Sequence, residues 1–174
     1  MQAVDPKRTV VTHDSGCPRD QLVPFYETVI PHGYIGWGKS TPLGSSLGLI
    51  MGAKLARPDW LAVNLMGEAA FGMVGMDFET AVRNRIPILT ILMNNGVMGG
   101  YTKKQPIATE RFGIHRLSGQ YAKVAAALGG HGERIEKIAD LKPALKRAIA
   151  VIEAGSPAFL EIITAEEPDF PCGR

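Results

Sequence analysis

The chain of 174 residues has only two cysteines, Cys17 and Cys172, which lie near its opposite ends. Two cysteines so far apart form neither a CxxC pair nor a disulfide framework. Cys17 is followed by Pro18 and has no neighbouring sequence typical of a catalytic nucleophile. The histidines have no zinc-ligand spacing either, which argues against a structural zinc site. These four histidines are His13, His32, His115 and His131.

The sequence also lacks long apolar runs and clusters of one charge. No apolar stretch reaches the length of about 18 residues that a membrane helix needs. The first residues, MQAVDPKRT, contain no apolar region typical of a signal peptide. Its 19 basic and 17 acidic residues are mixed along the chain, whereas nucleic-acid binding needs clustered lysine and arginine. We therefore expect a cytoplasmic protein that binds neither nucleic acid nor membrane.

Short apolar runs alternate with longer helical patterns along the chain. At 45% hydrophobic residues the composition supports a full core in one domain over 1–174. Nearly continuous apolar runs are typical of parallel strands covered on both faces. Strands are predicted at Arg8–Thr12, Trp60–Met66, Ile86–Met93 and Ala158–Thr164, with weaker ones at Gly33–Trp37 and Gly132–Ile135. Helices are predicted at Arg19–Val29, Leu43–Ala56, Gly72–Asn84, Gly119–Leu128 and Leu141–Ala154.

This alternation predicts a three-layer, doubly wound α/β fold. Its sheet would be mostly parallel, with about six strands and helices on both faces. Residues 94–118 interrupt the pattern with glycines, charges and a proline, and long structureless connections are usually functional. Ligands of open α/β sheets bind beyond the carboxyl ends of the strands. Those ends are marked here by Met66-Gly67-Glu68 and Asn94-Asn95-Gly96.

Residues Gly33–Ser40 formally match the phosphate-loop pattern GxxxxGK[ST]. Such a loop would place Lys39 on phosphate oxygens and Ser40 on magnesium. However, a buried strand should precede its first glycine, and Pro31 is a poor central-strand residue. The interior YIGW is also more typical of a strand, so we consider this interpretation unfavourable.

The strongest motif extends from residue 67 to residue 95. Glu68 follows a strand on a turn of small residues that begins a helix, and Asn94 and Asn95 follow the next strand. Small residues let a phosphate approach backbone amides at a helix N-terminus, which favours anions. Carboxylate and amide oxygens suit Mg²⁺, which usually keeps substrate phosphate in its shell. The arrangement predicts a magnesium-bound diphosphate, although each piece alone could be an ordinary turn or cap.

Together these pieces resemble the diphosphate-binding fingerprint of thiamine diphosphate-dependent enzymes, written GDG, then an acidic-leucine-x-threonine step, then NN. Here it reads Gly67-Glu68-Ala69, then Asp77-Phe78-Glu79-Thr80, then Asn94-Asn95, with 27 positions between Gly67 and Asn94. Thr12–Gly16 resembles the first strand and turn of that domain, and Gly38–Asp59 resembles the segment that leads to the fingerprint. Nearly the whole chain resembles the C-terminal domain of the acetolactate synthase and pyruvate oxidase type.

The resemblance implies roles for individual residues. Glu68 and the Asn95 side chain would bind Mg²⁺ together with the Val97 carbonyl. The bulky side chain of Leu43 would support the bent cofactor, and the Thr41 carbonyl would accept a hydrogen bond from its aminopyrimidine. Bending brings the pyrimidine amine to the thiazolium C2–H. The other implied cofactor-binding residues are Gly16, Gly67, Ala69, Ala70, Met98 and Gly99, of which Ala69, Ala70, Met98 and Gly99 would offer backbone amides to the diphosphate.

Two positions depart from the family pattern. Glu68 replaces the metal-site aspartate, and its extra carbon moves the carboxylate by about 1.5 Å. Ala69 replaces the second glycine. The turn Gly16-Cys17-Pro18-Arg19 also lacks the Gln-His often found in acetolactate synthases, which leaves the substrate side of the chemistry open.

The family pairs this domain with a pyrimidine-binding domain that supplies a glutamate to the cofactor ring, and nothing in 1–174 resembles that domain. We therefore expect a C-terminal domain or fragment of an acetolactate synthase-like transferase or lyase, inactive alone, with no catalytic residue in this chain. It would act on a 2-keto acid within a homo-oligomer. Two alternatives remain: the small subunit of a two-chain 2-oxoacid decarboxylase, and a noncatalytic domain that has lost metal binding.

Overall fold

The computed structural model of the protein describes residues 4–36 and 42–166. In these ranges six strands form one sheet: β1 (Thr9–His13), β2 (Tyr34–Ile35), β3 (Leu61–Gly67), β4 (Ile88–Asn94), β5 (His131–Ile135) and β6 (Ala158–Ile163). All the pairings are parallel and the strand order is β2-β1-β3-β4-β6-β5. The predicted strands are confirmed to within two residues at each described end. Trp37, the last residue of the strand predicted at Gly33–Trp37, lies outside the described residues, as do residues 38–41.

Eight α-helices connect these strands within the described ranges, and a short 3-10 helix at Pro6–Arg8 precedes β1. The first four helices are α1 (Cys17–Leu22), α2 (Ser45–Ala56), α3 (Glu68–Val74) and α4 (Asp77–Arg83). The last four helices are α5 (Tyr101–Lys104), α6 (Pro106–Phe112), α7 (Tyr121–Ala127) and α8 (Ile138–Glu153).

Helices cover both faces of the sheet, as the three-layer prediction requires. On one face, α2, α3, α4 and α7 pack around a core that includes Leu47, Phe71, Phe78 and Phe159. On the other face, α8 contributes Ala144, Ala148 and Ile152 against strand residues such as Val63 and Leu160. Residues of β1, β3, β4 and β6 therefore point into both cores, which explains the mostly apolar sequences of these strands.

Three predicted helices were wrong in extent. The helix expected to reach Val29 ends at Leu22, because Pro24 has no backbone N–H with which to continue the helical hydrogen bonds. The helix expected over Gly72–Asn84 is two helices that meet at Gly75 and Met76. A Cβ on Gly75 would lie 2.6 Å from the Phe71 carbonyl oxygen, so this turn packs too closely for a larger residue. Helix α8 begins at Ile138, three residues earlier than expected.

Residues 94–118 are not the structureless connection that the sequence predicts, because they contain α5 and α6. Gly100 precedes α5 with a φ of 80°, and Gly113 ends α6 with a φ of 59°. Pro106 occupies the first turn of α6, where its missing N–H leaves no bond unmade. Glycine and proline therefore mark helix ends here rather than an irregular loop.

The chain leaves β1 for β2 on one side and then crosses to β3 on the other side. This is a topological switch point, where ligands of open α/β sheets bind beyond the carboxyl ends of the strands. The segments that follow β1, β3 and β4 at that edge begin with Asp14, Glu68 and Asn95, respectively. The topology thus brings the sequence motifs together.

Candidate active site at the carboxyl edge of the sheet

A cavity of about 330 Å³ lies at this edge, within the size range of small-molecule pockets. Every predicted site residue that the structure describes contributes to its wall. These residues are Gly16, Leu43, Gly67, Glu68, Ala69, Ala70, Asn95, Val97, Met98 and Gly99. Thr41 lies outside the described residues, so its predicted role stays a prediction.

Among the described residues that line this cavity, Glu68 has the only charged side chain, and it is 3% exposed. Its Oε1 accepts a hydrogen bond from the Val97 amide at 3.1 Å, and Asn95 Oδ1 accepts from the same N–H at 3.1 Å. The carboxylate of β3–α3 and the carboxamide after β4 thus converge on one backbone group. Two hard oxygen donors within reach of each other are the kind of ligand set that Mg²⁺ uses.

The carbonyl of Val97, the third expected ligand, belongs to a short antiparallel bridge with Arg116. The bonds on either side of Val97 run from Leu117 N to Gly96 O at 2.9 Å and from Met98 N to His115 O at 2.6 Å. Neither bond uses the Val97 carbonyl. Within residues 4–36 and 42–166, no three His, Cys, Asp or Glu side chains form a group that could hold a metal ion.

Burial raises the pKa of the Glu68 carboxyl above its ordinary value of 4.5. Hydrogen bonds from backbone amides, including that of Val97, act against this rise because they stabilise the charged form. A cation at this position would act in the same direction as those amides. The carboxylate is therefore placed where a divalent ion would relieve its desolvation.

The diphosphate side of the cavity is formed by the start of α3. Gly67 is the N-cap residue of this helix and, as a glycine, has no side chain that could cap the first amides. Amides in the first turn of a helix have no intrahelical partner, and the helix end carries partial positive charge. Ala69 and Ala70 keep that turn narrow, so an anion can approach their N–H groups. The residues fit a diphosphate held beside a metal ion.

Asp14, which the site prediction did not include, holds the turn that carries Leu43. Its Oδ1 accepts from the Gly44 amide at 2.9 Å, and its Oδ2 accepts from Ser46 Oγ at 2.6 Å. Gly44 has a φ of 91°, and a Cβ there would lie 2.6 Å from a Val74 methyl carbon, so glycine is required. Leu43 packs against the core beside these residues. The turn that carries Leu43 is thereby held to the residue that follows β1.

Other residues of the cavity wall were also absent from the predicted set. Ser15, Cys17 and Pro18 follow β1, and a Cβ on Gly99 would lie 3.6 Å from Cys17 Sγ. These residues directly follow a predicted strand end, which is the sequence feature that could have identified them. The further wall residues are Met73, Met93 and Tyr101.

The phosphate-loop interpretation does not agree with the described part of its motif. Tyr34 and Ile35, which would be the interior of the loop, form the edge strand β2. They pair in parallel with Val11 and Thr12 rather than enclosing a ligand. Gly38–Ser40 lie outside the described residues.

Comparison with known proteins shows the family of the chain. Residues 14–162 match the sequence profile described as "Thiamine pyrophosphate enzyme, C-terminal TPP binding domain". Thiamine pyrophosphate is another name for thiamine diphosphate. The chain belongs to the C-terminal TPP-binding domain family. The match contains every described residue of the predicted site and confirms thiamine diphosphate as the cofactor of the family.

Full-length relatives of this TPP-binding domain include several enzymes. The chain is 36% identical over 149 residues to a probable acetolactate synthase of Mycobacterium bovis, which covers 83% of the chain and 26% of the relative. It is 30% identical over 177 residues to a sulfoacetaldehyde acetyltransferase of Alcaligenes xylosoxydans xylosoxydans, covering 100% of the chain and 29% of the relative. The chain thus spans about a quarter of the length of these relatives. Among the described residues, the TPP-binding domain has no helix with the length and apolar character of a membrane span.

Proposed function

We propose that this domain binds the diphosphate end of thiamine diphosphate through Mg²⁺, as part of an acetolactate synthase-like enzyme. The observation that carries the proposal is the convergence of Glu68 Oε1 and Asn95 Oδ1 on the Val97 amide. In such an enzyme a 2-keto acid would be decarboxylated and its acyl group passed to an acceptor. The similarity to acetolactate synthases supports this class of reaction.

Different residues of the domain would bind different parts of the cofactor. Glu68, Asn95 and the Val97 carbonyl would bind Mg²⁺, while amides of Ala69 and Ala70 would bind diphosphate oxygens. The bound cofactor supplies the carbanion chemistry that protein side chains cannot. Leu43, fixed through the Asp14–Gly44 bond, would support the bent form, and the apolar wall would exclude water from the cavity.

We further propose that a pyrimidine-binding domain or subunit completes the cofactor-binding site. Large apolar side chains on the described surface support association with a second domain or a second copy, because such side chains favour protein contacts. Phe25, Phe112 and Ile138 are each more than three-quarters exposed. We expect at least a dimer by light scattering of the purified chain. A monodisperse monomer at high concentration would contradict this expectation.

Calorimetric titration tests the cofactor site. The chain should bind thiamine diphosphate with Mg²⁺, bind it far more weakly with a chelator, and bind thiamine without its diphosphate weakly in both conditions. Asn95→Ala should reduce the Mg²⁺-dependent affinity, whereas Glu133→Ala, at a residue paired with Arg147 outside the cavity wall, should not. Equal binding of thiamine and thiamine diphosphate would overturn the proposal.

One contact favours a second candidate, a domain that binds without metal. The Glu68 carboxylate already accepts a bond from the Val97 amide, so it joins the two ligand-bearing segments by itself. If the only role of Glu68 is to join these two segments, the affinity for thiamine diphosphate should be the same with Mg²⁺ and with chelator. The titration described above therefore distinguishes the two candidates.

A further inference from the structure

A continuous series of hydrogen bonds links the far edge of the sheet to the segment that carries the metal ligands. We propose that Glu161 on β6 is a positioning residue for this segment, residues 95–97, and acts through the side chain of Asn94. This inference rests on the proposed function, since it concerns how the magnesium ligands are held. Neither Glu161 nor Asn94 belongs to the cavity wall.

Glu161 is fully buried, yet its carboxylate is held by three donors. Oε1 accepts from Asn94 Nδ2 at 2.7 Å and from Arg134 Nη1 at 2.8 Å, while Oε2 accepts from the Ala122 amide at 3.0 Å. A buried carboxylate is tolerated when it is paired and hydrogen-bonded. The guanidinium of Arg134 on β5 supplies the opposite charge. Donors from three elements fix the plane of this carboxylate.

The charge of Glu161 decides which way the Asn94 amide faces. An ionised carboxylate can only accept hydrogen bonds, so the Asn94 amide must present its NH₂ group to Glu161. Its Oδ1 is then directed toward the next residues of the chain, where it accepts from the Gly96 amide at 3.1 Å. A neutral partner that could also donate would remove this constraint.

Gly96 lies between the two expected ligands, Asn95 and Val97. Its amide is bound by Asn94, its carbonyl accepts from Leu117, and its φ is 74°. Mg²⁺ requires near-ideal octahedral geometry at short distances, so small shifts of residues 95–97 reduce affinity. Partners beyond the ligands typically change metal affinity by about 10–100-fold. Glu161 thus influences the site without touching it.

The first variant is Glu161→Gln, which keeps the shape but can donate as well as accept. Its matched control is Glu133→Gln on the neighbouring strand, because Glu133 also pairs with an arginine, Arg147, but has no bond to the segment 95–97. We measure the Mg²⁺ concentration that gives half-maximal thiamine diphosphate binding. It should rise about tenfold or more in Glu161→Gln and stay unchanged in Glu133→Gln.

Two further measurements separate positioning from general stability. Asn94→Ala should raise the Mg²⁺ midpoint similarly, and the double variant should be no worse than Asn94→Ala, because both act along one path. In the cofactor-free chain, hydrogen exchange at the amides of residues 96 and 97 should be faster in Glu161→Gln and in Asn94→Ala than in the unaltered chain. If Glu161→Gln does not fold, Arg134→Met removes one donor from the half-exposed end of the series and should give the same direction.

The outcomes are distinguishable. An unchanged midpoint in Glu161→Gln, additive losses in the double variant, or unchanged exchange at residues 96 and 97 would overturn the positioning role. Failure of the unaltered chain to require Mg²⁺ would instead overturn the proposed function, and the role of Glu161 at a metal with it.

Discussion

Under the proposed function, Glu68 would be the only carboxylate ligand of the magnesium ion that holds the cofactor. A glutamate at this position reaches about 1.5 Å further than an aspartate, and in the structure its carboxylate reaches the Val97 amide. The bond occupies Oε1. We propose that Mg²⁺ binds through this same oxygen and therefore competes with the Val97 amide for it.

Shortening the side chain should relieve this competition. We expect Glu68→Asp to tighten Mg²⁺-dependent binding of thiamine diphosphate and Glu68→Ala to weaken it by about tenfold or more, because even outer-shell losses have that size. Titration calorimetry at fixed Mg²⁺ measures both, with circular dichroism to confirm folding. Equal affinity for the three proteins would remove Glu68 from the site.

Asp14 makes the folding stability fall as pH rises, which is opposite to the effect of a carboxylate in an ordinary ion pair. Burial raises the pKa of its carboxyl above 3.8, although bonds from Ser46 and Gly44 favour the charged form. The folded protein therefore binds this proton more tightly than the unfolded chain does. The contribution of Asp14 to stability is greatest below pH 3.8 and falls as pH rises through the raised pKa.

The test compares unfolding free energies of the unaltered chain and Asp14→Asn between pH 4 and 7.5. The unaltered chain should lose stability relative to Asp14→Asn as the pH rises. Glu133→Gln is the control of opposite sign, because Arg147 lowers the pKa of Glu133. Parallel pH curves for the unaltered chain and Asp14→Asn would show that burial does not penalise the Asp14 charge.

At the scale of elements, a polar row crosses the centre of the sheet. Thr12 on β1, Asn64 on β3 and Thr90 on β4 are register partners, and all three are fully buried. Within the described ranges, the oxygens Thr12 Oγ1, Asn64 Oδ1 and Thr90 Oγ1 have no hydrogen-bond partner. Buried oxygens of this kind reduce stability, because they lose water and gain nothing in return.

Thr90→Val should therefore leave the unfolding free energy unchanged or raise it by up to about 1 kcal/mol. Thr9→Val is the matched control, because Thr9 is also buried on a strand but its hydroxyl donates to the Asp5 carbonyl at 2.7 Å. That variant should lose about 0.5–1.5 kcal/mol. Urea denaturation measures both, and a loss in Thr90→Val as large as in Thr9→Val would indicate a bound water in the row.

The elements also show what the sequence can and cannot predict. The strands were predictable because burial on both faces leaves long apolar runs, and Glu68 and Asn95 meet because neighbouring parallel strands end at the same edge. The break at Gly75 and the helices after Gly100 were harder to predict, because single glycine and proline residues there mark the ends of helices rather than a loop. Glu161 lies 67 positions from Asn94, so no local pattern could reveal their pairing. The single charge within the apolar run of β6 was the available signal.

At the scale of the whole molecule, the proposed function makes this domain one part of a pocket that a second domain would complete. We expect the purified chain to show no turnover of pyruvate to acetolactate or acetaldehyde, even with thiamine diphosphate and Mg²⁺. Binding that is equal in ground and transition states does not raise turnover. The acid-base contribution expected from a second domain is worth about 10²–10⁴ in rate. Product detected from the chain alone would require an activating carboxylate within residues 1–174.

The strand order has a consequence for the nascent chain. β6 follows the other five strands in the sequence, yet it lies inside the sheet between β4 and β5. While the ribosome is still producing residues 95–157, β4 therefore has an open edge and β5 has no neighbour to pair with. An unpaired apolar edge invites pairing with other chains. Translation that pauses before Ala158 should thus yield an aggregation-prone intermediate, and the segment beside Asn94 can settle only after Glu161 has left the exit tunnel.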